Sequence, residues 1–295
     1  MNFLKLSDKN THAEIGIKGG SITALYVTDA HGSIVKEVMY RYERVGGNAW
    51  QGRIGGQFSF NMFPLFGSHT GMTKHGFAHL LDFKVIENTS KKVVLSANDT
   101  PETLAEYPWK FEIRMTHAVE DGKLSSQTEI TNLSDTPMPF IEGQHFTFFR
   151  EGKLDDYIIR LIYPAGGVEQ VTAWTFENPD VAYTFNPSEG LQLKEKMLEN
   201  SVSLSIDKKG FNKVELLRKE SDELVPVVSY DLSNSEHILI IWNPTSGFIP
   251  DSDKIDCGLR GIAIEPGNAM PGTFPNVPHT KPGETYTKTI TINPH

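Results

Sequence analysis

Phe111-Glu112-Ile113-Arg114-Met115 carries an apolar side chain at every second position and a charged one between each pair. Successive side chains of a strand point to opposite faces, so this stretch predicts a strand with one buried and one wetted face. Asp121-Gly122 follows shortly after it, and Asp-Gly beyond an alternating run predicts a hairpin, because glycine accepts positive φ without steric cost. The same period recurs at Val202, Leu204 and Ile206, separated by serines, and at Ile290 and Ile292 among threonines. Ile238-Leu239-Ile240-Ile241-Trp242 is apolar without alternation, which suits a strand covered on both faces. Lys18-Gly19-Gly20, Lys208-Lys209-Gly210 and Lys281-Pro282-Gly283 read as turns between such runs. The best helix candidate, Gly190 to Asn200, also reads as a strand through Leu191 and Leu193. No Pro-, Gly- or Ser-rich linker and no repeat divides the chain. The expected fold is all-β, a large antiparallel β-sandwich of two big sheets packed face to face, with residues 1–295 as one domain.

A chain of 295 residues is long enough for that architecture, since β-sandwiches and barrels often exceed the length of an average domain. At this size roughly three-quarters of the extended surface is hidden on folding, so no covalent staples are needed. The single cysteine, Cys257, excludes an internal disulfide and any cysteine-rich metal cluster. With 28 Lys+Arg against 37 Asp+Glu, the net charge of −9 argues against a nucleic-acid partner. No run approaches the ~18 apolar residues that cross a bilayer, so no membrane partner is expected. The N-terminus lacks an apolar core followed by a small-residue cleavage site, which makes the cytoplasm the expected location.

Ordinary catalytic signatures are missing: there is no G-x-S-x-G elbow, no P-loop, no G-x-G-x-x-G and no H-E-x-x-H. Asp251, Asp253 and Asp256 crowd one loop but lack the spacing, central glycine and closing glutamate of a calcium loop, so a solvated acidic turn is expected. Three clusters stand out instead. Asn61-Met62-Phe63-Pro64-Leu65-Phe66-Gly67 is followed after seven residues by His75-Gly76-Phe77-Ala78. Gly143-Gln144-His145-Phe146 opens an aromatic run, and Trp242-Asn243-Pro244 pairs with Ile262-Ala263-Ile264-Glu265-Pro266-Gly267. Glu265 ends an apolar run just before a turn, where burial would raise its pKa towards the range useful to a general base. Taken singly, each residue has a plainer reading. Glu265 suits a strand-end salt bridge, His145 a hydrogen-bonded core histidine, Trp242 a core residue, and His75 is equally ambiguous.

Taken together, these segments resemble the galactose mutarotase-like superfamily, specifically aldose 1-epimerases and glucose-6-phosphate 1-epimerase-related proteins. Ala13-Glu14-Ile15-Gly16-Ile17-Lys18-Gly19-Gly20 is similar to the family's first hairpin. Phe63-Pro64-Leu65-Phe66-Gly67 with His75-Gly76-Phe77-Ala78 is similar to its most distinctive motif. Tyr107-Pro108-Trp109, Gly143-Gln144-His145, Trp242-Asn243-Pro244, Glu265-Pro266 and Lys281-Pro282-Gly283-Glu284 follow in family order along the chain. The resemblance implies a "supersandwich" with an open sugar-binding face, no cofactor and no metal. It implies an isomerase interconverting the α and β anomers of an aldohexose or hexose phosphate. Glu265 falls on the family's base and His145 on its acid, both catalytic, while His75 falls on a second histidine that helps hold substrate.

That chemistry needs these residue types. Opening a pyranose hemiacetal removes a proton from O1 and gives one to the ring oxygen, so an acid and a base must flank one carbon, each typically contributing about 10²–10⁴-fold. Histidine suits the acid because its ordinary pKa, about 6.5, leaves both forms accessible near neutrality. Trp242, Phe66 and Phe146 offer flat faces for sugar C–H bonds, and Asn61, Gln144 and Asn243 are candidates for its hydroxyls. The chain departs from the family in two places. His79 stands where relatives carry an arginine after His-Gly-Phe-Ala, and Arg53 is the nearest upstream match to another. Arginine forks suit phosphates, so their displacement favours a free sugar. The family's substrate-binding aspartate has only Asp180 as a rough counterpart by position, while Lys194-Glu195-Lys196-Met197 occupies the stretch where the resemblance would place it. The expected partner is a small sugar or sugar phosphate, and the expected assembly a monomer or homodimer. The alternative is a non-catalytic carbohydrate-binding or regulatory protein on the same fold. A lyase or hydrolase is a third option, for which only one carboxylate can be nominated.

Overall fold

A computed structural model of the chain describes residues 3–39, 59–164, 166–175, 178, 180–198, 203–206, 210–233, 238–243 and 261–295. Arg53, Cys257 and the Asp251, Asp253 and Asp256 cluster lie outside the described residues.

The strand read at Phe111 runs Phe111–Glu120 and pairs along its whole length with Lys123–Asn132. Asp121 (φ 50°) and Gly122 (φ 76°) join them. Positive φ at both central residues is the geometry whose twist matches the two strands. Phe111, Ile113 and Met115 are buried while Arg114 is exposed, as the alternation requires. Burying each such side chain contributes roughly 1.5–3 kcal/mol.

This hairpin sits within a nine-stranded sheet. Its order is Leu191–Gln192, Tyr157–Ile162, Lys213–Glu220, Glu223–Leu232, Thr285–Pro294, Lys123–Asn132, Phe111–Glu120, Lys92–Asn98 and Lys84–Asn88. A seven-stranded sheet runs Ala182–Phe185, Val171–Thr175, Ser203–Ile206, Ile238–Trp242, Gly261–Gly267, Gly143–Phe149 and Phe60–Met62. Every pairing in the two sheets is antiparallel. They enclose one apolar cluster whose members run from Leu6 to Ile292 along the chain. Its aromatic contacts include Phe148 stacked on Tyr230 at 6.1 Å and Phe63 edge-on to Phe111 at 5.1 Å. The N-terminal strands Phe3–Asp8, Thr11–Gly16, Ile22–Thr28 and Ile34–Glu37 form a smaller sheet, which adds Leu6, Ile15 and Leu25 to the same cluster. The large antiparallel sandwich expected from the alternation is therefore what forms.

Ile238–Trp242 lies inside the seven-stranded sheet and is covered on both faces. Leu239 and Ile241 enter the main cluster, whereas Ile238 and Ile240 join a second cluster on the other face with Phe60, Met62, Phe66 and Ile141. Of the two readings left open for Gly190 to Asn200, the strand through Leu191 is the one the described residues adopt. Leu191–Gln192 adds a two-residue strand to the sheet edge, and Glu195–Met197 makes a 3₁₀ turn. Gly190 at φ 92° breaks any helical start, and Leu191 and Leu193 are both buried. Among the described residues an α-helix forms at Pro101–Glu106, capped by Thr100 and with proline at its first turn.

Candidate active site

The face of the seven-stranded sheet turned away from the nine-stranded sheet carries the polar residues singled out above. Within Gly143–Phe149, Phe146 and Phe148 point into the main core, so His145 and Thr147 point outward. Within Gly261–Gly267, Ile262 and Ile264 point inward and Glu265 outward. Cross-strand partners share a face. His145 is opposite Phe60, Glu265 is opposite Ile240, and Trp242 is opposite Ala263. The result is a cage around one imidazole. His145 Nε2 lies 3.3 Å from Glu265 Oε1. The Phe60 ring stacks on His145 at 4.7 Å, while Trp242 and His75 stand edge-on at 5.9 and 6.1 Å. Thr147 Oγ1 is 3.5 Å from Nδ1 on the far side of the ring.

The spacing of Phe63-Pro64-Leu65-Phe66-Gly67 and His75-Gly76-Phe77-Ala78 has a mechanical reason. The Phe77 and Ala78 amides both donate to the Phe63 carbonyl, at 2.9 and 3.2 Å. The His75 amide donates to the Gly67 carbonyl at 2.7 Å, and the Gly67 amide donates back to His75 Nδ1 at 3.3 Å. That bond makes Nδ1 an acceptor, which leaves the proton of the neutral ring on Nε2. His75 itself adopts φ 63°, a strained conformation for a residue other than glycine. Gly76, at φ 69°, is obligatory, because a Cβ there would sit 2.1 Å from the Phe63 carbonyl oxygen. Two residues before His75, Thr73 is clamped to the helix by bonds from its amide and hydroxyl to the Glu106 carboxylate, at 2.8 and 3.0 Å.

Burial sets the electrostatics. Glu265 is 3% exposed, and burial pushes its carboxyl up to about 8, with the Lys74 charge pulling the other way. Burial, and then the neighbouring His145, Lys74 and His79, hold His75 well below the ordinary imidazole value. Burial brings His79 down to about 4, with His145 and Lys18 acting in the same direction. His79 packs 4.9 Å from the Phe60 ring, and neither of its nitrogens has a hydrogen-bond partner among the described residues. Glu265 is thus protonated through most of the neutral range, beside an imidazole within proton-transfer reach.

His145, Glu265, His75 and Trp242 come together. Phe66 lies on the same side but is buried, its ring packed over Gly143 and Gly267, where a Cβ would meet it at 3.1 and 2.9 Å. It supports the floor of the site and does not present an open platform. Asn243, just past the end of its strand, is buried, and its Oδ1 has no hydrogen-bond partner among the described residues. Three expectations are corrected by strand alternation. Asn61 and Gln144 sit one residue out of phase with the site and face the sandwich interior, where both donate to Glu142 Oε1, at 3.0 and 2.9 Å. They are not placed to bond a sugar on the opposite face. Phe146 likewise packs inward, near Phe148 and Tyr230. Asp180 is exposed in the turn between the two strands at the far edge of the sheet, three to four strands from Glu265. At the usual spacing of about 4.8 Å that is roughly 14–19 Å away. The turn Glu195–Met197 brings no aspartate to the site. Lys74, which the motif reading passed over, supplies the cation acting on Glu265 and His75.

Comparison with known proteins matches residues 3–293 to the family model described as aldose 1-epimerase. Two curated relatives are the chromosomal and plasmid forms of protein LacX from Lactococcus lactis subsp. lactis. The first is 25% identical over 60% of this chain and 64% of its own length. The second is 26% identical over 47% and 45%. The matched stretch therefore spans less than two thirds of either relative. Among solved structures, a galactose mutarotase-like protein from Lactobacillus casei ATCC 334 superposes with a TM-score of 0.75 at 18% identity, covering 100% of both chains. A galactose mutarotase related enzyme from Lactobacillus acidophilus gives 0.74 at 18% identity, covering 100% of this chain and 97% of that one. At such identities the likeness is one of fold.

Proposed function

This chain belongs to the aldose 1-epimerase family, and on that premise we propose that it interconverts the α and β anomers of an aldohexose by acid–base ring opening. The observation that carries the proposal is the 3.3 Å approach of His145 Nε2 to Glu265 Oε1 in a buried setting. The anomeric hydroxyl and the ring oxygen are bonded to the same carbon, so the groups that serve them must lie within a few ångströms of each other.

A carboxyl protonated up to about pH 8 and an adjacent imidazole hold one proton between them. Passing it from Glu265 to Nε2 turns an inert pair into a carboxylate base and an imidazolium acid. The carboxylate then takes the proton from O1 while the imidazolium gives its proton to O5, and the C1–O5 bond opens. The free aldehyde rotates about C1–C2. Reclosure on the other face returns both protons, so the pair ends as it began. His75, neutral with Nε2–H available, serves as a donor to a substrate oxygen. Trp242, beside His145, offers an apolar face to the sugar ring.

The two motif histidines, His75 and His79, are held neutral by burial and so bring no fixed positive charge to the site. That supports a free sugar over a phosphorylated one. Exchange spectroscopy by NMR with glucose, galactose and their 6-phosphates tests the proposal. Accelerated α/β exchange with a free hexose, abolished by Glu265→Gln, is the expected result. Binding of the same sugars with exchange left at its spontaneous rate would replace this reading by the non-catalytic one.

A further inference from the structure

Directly behind the site, on the inner face of the same strands, lies a polar network that the epimerase reading does not use. Glu142 and Lys288 form an ion pair at 2.8 Å with both side chains fully buried. Lys288 occupies the inward phase of Thr285–Pro294, in line with Ile290 and Ile292, where the pattern calls for an apolar residue. Charge at such a position is rare unless it is paired and hydrogen-bonded. Here it is. Glu142 Oε1 accepts from Asn61 Nδ2 at 3.0 Å and Gln144 Nε2 at 2.9 Å. The same two amides also reach Thr128 Oγ1, at 3.3 and 3.1 Å. Lys288 Nζ donates to the Pro266 carbonyl at 3.3 Å. The Glu142 backbone is tied to Asn268 by two bonds of 3.0 Å.

Each partner is the immediate neighbour of a residue on the outer face. Asn61 adjoins Phe60, Gln144 adjoins His145, and Pro266 adjoins Glu265. Alternation places the network and the site on opposite faces of three strands, and the network ties all three to the nine-stranded sheet. We propose that the Glu142–Lys288 pair is the positioning device of the site: it fixes the register and height of the strands that bring Phe60, His145 and Glu265 together. The inference rests on the acid–base reading for its effect on rate. Glu142 and Lys288 touch neither substrate nor the reacting atoms, so they are positioning residues.

The test is the double variant Glu142→Gln/Lys288→Met, which keeps an acceptor for both amides and fills the lysine's space while removing its tie to Pro266. Saturation kinetics of hexose exchange should show kcat falling about 10-fold or more with KM changed less than about threefold, because a displacement on the order of 1 Å weakens catalysis more than binding. Asn61→Ala, which leaves the ion pair whole, serves as a second variant should the double variant fold poorly. It should lower kcat, whereas a sugar ligand at that position would raise KM. In both variants the NMR titration of the His145 imidazole should move by about 0.5 pH or more as its distance to Glu265 changes. A folded double variant with unchanged kcat and an unchanged His145 titration overturns the positioning role. Wild-type protein that leaves exchange unaccelerated defeats the epimerase reading instead, and a moved His145 titration then still supports the positioning.

Discussion

Glu265→Gln should make the protein more stable at neutral pH while abolishing exchange. The carboxyl is 3% exposed and its folded-state pKa is about 8, against 4.5 for the free side chain. The sign follows from where the proton is held more tightly. Folded protein binds it more strongly than unfolded protein, so the favourable contribution is complete below about pH 4.5 and declines as pH rises towards about 8. Between those limits the native state loses roughly 1.4 kcal/mol per pH unit on account of this group. Glutamine keeps the shape and does not titrate. The stability difference, variant minus wild type, should therefore grow by about 3 kcal/mol between about pH 5 and pH 7.5, and by at least about 1 kcal/mol if the imidazole beside Glu265 takes up part of the load. Urea unfolding at the two pH values measures it, and the titrations of groups distant from Glu265 cancel in the difference. Curves that stay parallel, with a difference constant to about 0.5 kcal/mol, refute the claim that Glu265 is held protonated by burial.

His79→Leu should stabilise the fold by about 1–3 kcal/mol near pH 7, since a buried ring whose nitrogens have no partner among the described residues is replaced by an apolar side chain; thermal melts read this directly. His79 and His117 are both pushed down to about 4, chiefly by burial, so they take up protons more readily when unfolded. Their contribution is whole above the ordinary imidazole value near 6.5 and is lost as pH falls towards about 4, and His79→Leu should flatten that acid-side loss in melts taken down the range. Gly76→Ala drives a methyl group to 2.1 Å from the Phe63 carbonyl in a positive-φ conformation, which should remove about 3 kcal/mol or more of stability, or prevent folding. A variant melting within a degree or two of wild type would mean that the two motif segments are not locked in this way. Trp242→Ala should weaken hexose binding by about 10-fold if the indole is a sugar platform, and calorimetry showing unchanged affinity would return it to a purely structural role.

Alternation was legible wherever one face of a strand is wet. Phe111–Met115 with Asp121-Gly122 identified its hairpin because side-chain period and turn chemistry are local properties. The unbroken run Ile238–Trp242 indicated double coverage for the same reason. Gly190 to Asn200 stayed open between helix and strand, because buried leucines at a sheet edge satisfy both periods over so short a span. Asn61, Gln144 and Phe146 were misplaced because proximity to a motif says nothing about phase. One step along a strand separates the site from the interior. Lys288 could have been noticed, as a charge in register with Ile290 and Ile292, but its partner lies 146 positions away along the chain.

The linear order of the residues thus determined the strand-rich architecture, the turns and the family motifs, all of which depend on neighbours a few positions apart. Folding in three dimensions decided which of the marked residues meet. His145 and Glu265 are distant in sequence and reach 3.3 Å only because Gly143–Phe149 and Gly261–Gly267 lie side by side. Their shared burial, and with it the raised pKa of Glu265, is a property of that packing and of neither residue alone.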